Sequence, residues 1–522
     1  MTTPSDKPRA RPATESPSAV RAALFLVAAL LVFRLWYASQ SGMYQDEMYY
    51  WQWSRHPDIS YYDQGPGVAL LIRAGVAVFG NTPLGIRVCG VLLGAGTGWM
   101  AFRIVERWTG NSKTALLTLV LLNISPLISA GGVLAGYDGP QVFFWTAALY
   151  ALTRTLQDNR PVGWIAVGIL AGMGALCKHT MLLFAPCVLI FLLWSPRYRR
   201  WLATSLPYVA LFVLLAFFTP VVLWNARHGW MGFLHTVALG SRHQNAPPLH
   251  WLGDFLGGQA LVLGPFLFLA ELYALVSLAR SPAAPDSRDD AGRFFVSFAA
   301  PILAACIGIS LRSKLEANWP APAHVMGIAA VALFITRLRP RGMAARAGIL
   351  AACLISFLAS IIAYFPTVLT AFGRPISAVA AQKLNESYGW PEIAGGVDAA
   401  RRGLEREGKP VFVAAINYRT TSALAYYLPG RPEVRSLYLD GRRDEYLLWT
   451  DPRALVGQNA VLCLDSDDPL AVSNARKVFV SVSPLSPVEV FRPGFAGPVK
   501  RWNLYLCRGF KGYDPADYVH GY

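Results

Sequence analysis

The sequence predicts a polytopic α-helical membrane protein with about 11 transmembrane helices and a C-terminal extracytoplasmic α/β domain. Three observations lead to this fold class. Of the 522 residues, 54% are hydrophobic and 15% are charged, whereas a soluble domain carries about 25% charged residues. Apolar runs of spanning length recur between residues 21 and 366. Beyond residue 370 they give way to short alternating strand and helix patterns.

The predicted spans are apolar runs separated by short polar connections, because a membrane-spanning helix needs about 20 mostly apolar residues. They cover residues 21–38, 84–102, 114–132, 137–153, 161–177, 179–195, 202–224, 255–279, 293–311, 319–337 and 346–366.

The distribution of Arg and Lys predicts the orientation of these spans. With a cytoplasmic N-terminus, every inner connection carries a cluster of basic residues and the outer connections carry far fewer, as the positive-inside rule requires. The loop at 39–83 and the tail from about residue 370 are then extracytoplasmic. The net charge of +16 is therefore a topology signal, and nucleic-acid binding is excluded as an explanation for it.

Three parts follow from this pattern. Residues 1–20 are predicted to be a disordered cytoplasmic N-terminus, 21–370 a transmembrane catalytic domain with the outer loop 39–83, and 371–522 a soluble extracytoplasmic α/β domain. In the tail we predict strands at VFVAAINY, AVLCLDSDD, KVFVSVSPL and RWNLYLCRGF, with helices near 391–407 and 418–428. Cys463 and Cys507 are compatible either with one disulfide or with thiols in strand cores.

The outer loop contains two segments, MYYWQWSR and VALLIRAGVAVFG, that are too short to span and have helical apolar faces. We expect both to lie along the membrane surface as amphipathic helices. Asp46 and Glu47 fall at the start of the first one. They either complement the positive end of that helix or act chemically.

Other outer turns also carry ionisable residues. Asp138 precedes PQVFFW, Lys178 and His179 lie in an apolar hairpin, and Arg312, Lys314 and Glu316 precede another helix. Asp138 is compatible with an N-cap, and single charges at helix ends are ordinary. Acids and bases together at one membrane face indicate function instead.

These residue types suit one kind of chemistry. Cations at the outer surface can hold the phosphate of a lipid-linked donor and stabilise it as a leaving group. A nearby carboxylate can take a proton from an acceptor hydroxyl or amine. No nucleotide sugar is expected outside the cytoplasm, so a sugar transferred there needs a lipid carrier.

At these residues the chain resembles a known family. DEMYYWQWSRHPDISYYDQGPG, the later FG and Arg87, Asp138 before PQVFFW, GMGALCKHT and KLEANWPAP are similar to motifs of the GT-C superfamily, in its protein O-mannosyltransferase and lipid A aminoarabinose transferase branch. NYRTTSALAYYLPG resembles a segment of the appended outer domain of bacterial members. The resemblance covers about residues 20 to 330 and implies a GT-C type fold.

The resemblance also implies roles for individual residues. Asp46 would be the catalytic base, with Glu47 beside it, and Asp138 a second acid at the acceptor site. Lys178 would bind the donor phosphate. The further candidates for phosphate binding are Tyr50, Tyr61, Arg242 (with Arg227 as its competitor), Arg312 and Lys314.

The chain departs from the family pattern at Asp63-Gln64-Gly65-Pro66, where many members have two prolines and some have Lys or His in place of Gln64. Some members bind a divalent metal between this acid and a later His. Asp63 with His235 or His243 would be the pair here, and a His without any ligand role is the alternative. The sequence makes no cofactor certain and leaves a divalent metal open.

The predicted function is therefore an integral-membrane glycosyltransferase of the bacterial inner (plasma) membrane. It would move a sugar from a polyprenyl-phosphate donor to an extracytoplasmic envelope glycan, glycolipid or protein by one inverting displacement. This requires Asp46, Asp138 and Lys178 to converge on a single hollow. A lipid or lipid-linked-sugar flippase is the main alternative, but charges deep in mid-helix and symmetric halves, which a transporter predicts, are not visible in the sequence.

Overall fold

The computed structural model describes residues 16–241, 247, 249–281, 290–338, 342–368, 385–439, 443–449, 451–465, 468–492, 495 and 497–514. The chain divides into two units. The helical unit comprises Met1–Tyr37, Gly90–Thr219 and Gly240–Ala363. The mixed unit comprises Ala38–Cys89, Pro220–Leu239 and Tyr364–Tyr522.

Sixteen α-helices precede the tail in the described part of the chain. They are α1 (Pro17–Gln40), α2 (Gln45–Arg55), α3 (Gly67–Phe79), α4 (Pro83–Thr109), α5 (Ser112–Ile124), α6 (Pro126–Ser129), α7 (Asp138–Gln157), α8 (Gly163–Cys177), α9 (Phe184–Trp194), α10 (Leu206–Arg227), α11 (Met231–Ser241), α12 (His250–Leu263), α13 (Pro265–Arg280), α14 (Asp290–Ser310), α15 (Ala321–Leu338) and α16 (Met343–Tyr364). Short 3₁₀ turns cover His179–Leu183 and Arg199–Ala203.

Among the described residues, six helices are long and apolar enough to cross a membrane, namely α1, α4, α10, α14, α15 and α16. The pair α12 and α13 makes a seventh if the two together form one span. Each of the predicted spans lies on a helix or on two consecutive helices, and the number that crosses the membrane stays a prediction.

The structure corrects the predicted span 255–279, because it is not one helix. The chain bends by 106° between α12 and α13. Gly264 sits at the bend with a φ of +93°, and the Ser356 side chain occupies the space that a β-carbon at this position would need. Pro265 follows at the first position of α13, where its missing N–H costs nothing. The predicted span 114–132 is likewise broken, because α5 ends at Ile124 and Pro126 begins α6.

In the mixed unit, the two predicted amphipathic segments do form helices, α2 and α3. Each is shorter than the membrane thickness, since an α-helix rises about 1.5 Å per residue. Their placement along the membrane surface remains a prediction.

The tail contains the remaining elements. They are α17 (Trp390–Glu405), β1 (Val411–Ala415), α18 (Tyr418–Tyr427), β2 (Val434–Ser436), α19 (Tyr446–Trp449), a 3₁₀ turn (Pro452–Leu455), β3 (Asn459–Leu464), α20 (Pro469–Val478), β4 (Phe479–Pro484), β5 (Val488–Val490) and β6 (Lys500–Phe510). The four predicted strands and both predicted helices are present, although VFVAAINY stops being a strand at Ala415.

The strands form one sheet in the order β2-β1-β3-β6-β4, with β5 paired to β6. β1 runs parallel to β2 and β3, and β6 runs antiparallel to β3, β4 and β5. Phe412 lies opposite Ala460, and Val461 lies opposite Leu506. Cys463 and Cys507 are buried free thiols on β3 and β6, so the strand-core alternative is confirmed.

Candidate functional site

Glu47 anchors the start of α2. Arg87 on α4 donates to both of its carboxylate oxygens, at 2.6 and 2.5 Å, and the Tyr44 backbone N–H donates to Oε2 at 3.0 Å. Only 3% of the Glu47 side chain and none of the Arg87 side chain is exposed. A bidentate pair of this kind is a strong, directional contact.

Arg87 also fixes the chain that leads into α2. Its guanidinium donates to the carbonyl oxygens of Ala38, Ser41 and Gly42 at 3.1, 3.0 and 2.7 Å. With both oxygens of Glu47 engaged by the protein, an anchoring role fits this residue better than the catalytic role expected for it.

Asp46, the preceding residue, has a different environment. Its Oδ1 accepts hydrogen bonds from the hydroxyl of Tyr418 and from Nε of Arg419, both at 3.3 Å, and 45% of its side chain is exposed. Burial among protein atoms raises the pKa of Asp46, and the Arg419 cation and the Tyr418 hydrogen bond oppose that rise. A carboxylate with a raised pKa that is still reachable is suited to accept a proton.

Tyr418 and Arg419 were not predicted as site residues. They lie at the start of α18, where the Asn417 side chain caps the helix by accepting from the Thr420 N–H at 2.9 Å. The guanidinium of Arg419 also donates to the Tyr418 hydroxyl at 3.1 Å, so the three side chains form a closed triangle. The signal that could have found them is NYRTTSALAYYLPG, which already resembled a family segment.

Asp63 lies in the same unit and pairs with His235, as one of the two predicted alternatives requires. Its Oδ1 is 3.4 Å from Nε2 of His235, and its Oδ2 accepts from the Tyr49 hydroxyl at 3.0 Å. No group of three or more His, Cys, Asp or Glu side chains suited to a metal occurs within the described residues. His243 lies outside the described residues, so a metal at Asp63 stays an expectation.

Tyr61 fits a structural role better than the predicted contact with phosphate. Its hydroxyl donates to the carbonyls of Trp53 and His56 at 2.9 and 3.0 Å and accepts from the Asp58 N–H at 3.1 Å. Its ring stacks on Trp53 with 4.5 Å between centroids. Burial raises the pKa of Tyr61 to about 12. Tyr50 is half-buried and packs edge-on against Trp53 at 5.0 Å, so it remains accessible.

In the helical unit, Asp138 and Lys178 meet as a pair. Asp138 is the first residue of α7, preceded by Tyr137 at the N-cap. Its Oδ1 lies 2.5 Å from Nζ of Lys178, and its Oδ2 accepts from Nδ2 of Asn318 at 2.7 Å. Asp138 therefore does not occupy the N-cap position, which was the structural alternative to a functional role.

Lys178 points into this cluster because α8 ends there. Its backbone is extended, with a φ of −150° and a ψ of 132°, and its N–H donates to the Gly174 carbonyl at 2.9 Å. Only 4% of its side chain is exposed, and Nζ lies 5.2 Å from the centre of the Tyr137 ring. The charge is thus held against Asp138 and an aromatic face.

The other cations predicted to bind phosphate either are exposed or lie outside the described residues. Arg312 and Lys314 are exposed, and Lys314 lies 3.4 Å from Glu316. Arg242 lies outside the described residues. The KLEANWPAP segment contributes Asn318 to the Asp138 cluster, a residue that was missed because an amide carries no charge signal. Asp46 belongs to the mixed unit, and its predicted convergence with Asp138 and Lys178 stays a prediction.

The described helices, six of which are long and apolar enough to cross a membrane, fit a multi-pass membrane protein. Residues 63–224 match the family described as dolichyl-phosphate-mannose-protein mannosyltransferase. The crystal structure of ArnT from Cupriavidus metallidurans bound to undecaprenyl phosphate shares this fold, with a TM-score of 0.62 and 16% identity over 94% of this chain and 98% of that chain.

Two relatives are named for the sugars that they transfer. The chain is 25% identical over 321 residues to the lipid A galacturonosyltransferase RgtD of Rhizobium johnstonii, covering 60% of this chain and 66% of that protein. It is 31% identical over 165 residues to the undecaprenyl phosphate-alpha-4-amino-4-deoxy-L-arabinose arabinosyl transferase of Pseudomonas aeruginosa. That match covers 30% of this chain and 29% of the relative. The matched stretches thus span less than two thirds of either relative. These comparisons confirm the resemblance to this GT-C branch, and the enzyme class predicted agrees with the relatives' names.

Proposed function

We propose that this protein is an integral-membrane glycosyltransferase that moves a sugar from a polyprenyl-phosphate donor to an extracytoplasmic acceptor. The observation that carries the proposal is Asp46, an accessible carboxylate of raised pKa held by Tyr418 and Arg419. The names of the relatives support a lipid-phosphate donor and favour a lipid A-like glycolipid as acceptor. The site would then face outward from a bacterial inner membrane, with the N-terminus in the cytoplasm.

The reaction is a single displacement. The oxygen or nitrogen of the acceptor attacks the anomeric carbon and forms the new bond, while the bond from that carbon to the phosphate oxygen breaks. The bonding electrons leave with the polyprenyl phosphate, and the acceptor proton passes to Asp46. Attack from the face opposite the phosphate inverts the anomeric configuration.

Lys178 is assigned to the donor phosphate, because a leaving phosphate needs a cation. In the free protein Asp138 holds Lys178 through its Oδ1, and the side-chain amide of Asn318 donates a hydrogen bond to Oδ2 of Asp138. Arg312, Lys314, Tyr50 and Arg242 are further candidates for binding the donor. A divalent cation, where bound, would take Asp63 and His235 and neutralise phosphate charge.

The test uses the full-length protein in lipid bilayers. Polyprenyl-phosphate donors carrying radiolabelled galacturonic acid, 4-amino-4-deoxyarabinose or mannose are supplied with lipid A. Label appearing on lipid A supports the proposal, and an Asp46→Asn protein should lose this transfer. Label that crosses the bilayer while still attached to the intact donor would instead identify a flippase and refute the transferase.

A further inference from the structure

Three buried polar side chains of the helical unit form a connected group to which no role has been assigned above. Nδ1 of His324 lies 3.1 and 2.9 Å from the two oxygens of Glu271, and its Nε2 lies 2.9 Å from Oε1 of Gln259. All three residues are 0% exposed. An ionisable group inside a bundle of membrane helices is costly and indicates a function.

The bend at Gly264 creates this group. Gln259 lies on α12 and Glu271 on α13, and along a straight helix they would be about 18 Å apart. The 106° bend lets both arms reach the same imidazole in the first turn of α15. An unbroken helix over these residues could not place both Gln259 and Glu271 against His324.

Helix α15 leaves space for the carboxylate of Glu271 beside His324. Gly327 lies one turn after His324 on α15, and a β-carbon there would overlap the Glu271 carboxylate. A glycine inside a helix lowers its stability by about 1 kcal/mol relative to alanine. The space at Gly327 is thus needed by Glu271.

The hydrogen bond between Gln259 and the backbone of Ala317 determines how the Gln259 amide is oriented toward His324. Nε2 of Gln259 donates to the Ala317 carbonyl at 3.0 Å, so Oε1 faces His324 and must accept from its Nε2–H. Nδ1 of His324 faces both carboxylate oxygens of Glu271, so each of the three side chains has a polar partner in the group. Buried networks with every member satisfied are rigid.

This network ends next to the Asp138 cluster. Ala317, whose carbonyl Gln259 holds, directly precedes Asn318, whose amide donates to Asp138. We propose that Glu271, His324 and Gln259 are positioning residues that fix the backbone at Ala317 so that Asn318 orients Asp138 and its partner Lys178. The consequence for catalysis rests on the proposed function, whereas the mechanical link does not.

The mechanical link is tested by hydrogen–deuterium exchange on the full-length protein in bilayers. Gln259→Leu removes the bond to Ala317 and should speed exchange of the amides between residues 314 and 321 by about tenfold, the effect of losing about 1.4 kcal/mol of local protection. Thr336→Val is the matched control, because it removes the 3.2 Å bond from Thr114 at the opposite end of α15. Equal exchange in Gln259→Leu and the unsubstituted protein would overturn the link.

The catalytic consequence is tested with the transfer assay described above. Gln259→Leu and Asn318→Ala should each lower kcat by about 10- to 100-fold, as misplacement by about 1 Å does, with a smaller change in donor KM. The double variant should be no worse than the single ones, since both break one chain of contacts. Multiplying effects would overturn the positioning role.

A conservative variant separates positioning from charge. The side-chain amide introduced by Glu271→Gln can donate to Nδ1 of His324 and keep a hydrogen bond between the two side chains, so activity should stay within about threefold. Glu271→Leu removes that bond and should lose activity to the same extent as Gln259→Leu. Equal losses in both Glu271 variants would contradict the proposal. If the unsubstituted protein transfers no sugar, the proposed function fails, and the exchange experiment still decides the mechanical link.

Discussion

Asp46 and Glu47 are adjacent in the sequence but have opposite environments. Glu47 is buried in a bidentate pair with Arg87, whereas Asp46 is 45% exposed beside Arg419. Consecutive residues of a helix point about 100° apart, so one side chain faces the protein and the other an accessible surface. The pair therefore separates a buried, anchored carboxylate from an accessible one.

We expect Glu47→Gln to destabilise the protein by about 3–5 kcal/mol, because it leaves Arg87 as a buried charge without its partner. Thermal unfolding of the purified protein in detergent measures this. Glu433→Gln, which breaks the partly exposed pair with Arg55, is the control and should cost about 1 kcal/mol or less. Equal effects of the two substitutions would contradict the anchoring role.

Asp46→Asn should not destabilise the protein and should lower kcat by about 10²- to 10⁴-fold, the usual contribution of a general base. Donor KM should change little, since Asp46 is assigned to the acceptor proton. Glu407→Gln, at an exposed ion pair with Arg508 in the tail, serves as the control and should retain activity. Full activity in Asp46→Asn would eliminate Asp46 as the base.

Arg419→Ala should shift the acidic limb of the pH–rate profile to higher pH. A base must be ionised to act, so the rate rises with pH through the pKa of Asp46. Burial raises that pKa, and the Arg419 cation opposes the rise, so removing the cation raises the pKa further. Profiles of kcat/KM for the two proteins measure the shift, and a shift to lower pH would refute this electrostatic role.

Lys178→Met should weaken binding of undecaprenyl phosphate by at least about tenfold, because a charge-assisted bond to phosphate is lost. Competition by undecaprenyl phosphate in the transfer assay gives the inhibition constant. Lys113→Met, at an exposed position at the start of α5, is the control. Unchanged inhibition in Lys178→Met would remove Lys178 from the donor site.

Glu445→Gln should stabilise the protein relative to the unsubstituted chain by an amount that grows as pH rises. Burial, and then the nearby Asp63, Asp58 and Asp444, hold the pKa of Glu445 well above its usual range. The folded state thus keeps a proton that the unfolded chain loses above the ordinary pKa, and stability falls as pH rises between the two values.

Unfolding measured across the acidic and neutral range tests this. Glu433→Gln should show the opposite trend, because the hydrogen bond from His56 lowers the pKa of Glu433. A stability difference between Glu445→Gln and the unsubstituted protein that does not vary with pH would contradict the expectation.

Hydrophobic patterning predicted the helices and strands well, because local sequence determines them. It could not predict the break at Gly264 as a functional feature, since only the packing of both arms on His324 reveals it. Nor could it separate Asp46 from Glu47, because the distinction depends on Arg87, which lies 40 positions further along.

The sequence also did not predict the uncharged polar residues that contact the candidate site residues. Asn318 and Gln259 are uncharged, and their importance comes from what they touch in the folded chain. Tyr418 and Arg419 carry a sequence signal only as part of the segment NYRTTSALAYYLPG, because no periodicity or spacing connects the tail with the loop at 39–83.

The triangle of Asp46, Tyr418 and Arg419 sets an order for biogenesis. Tyr418 follows Asp46 by 372 positions, so a ribosome releases the acid long before it makes the residues that hold it. Most of the membrane helices are translated in between. The nascent chain therefore carries Asp46 without these two partners until the sheet-forming tail has been translated and has folded.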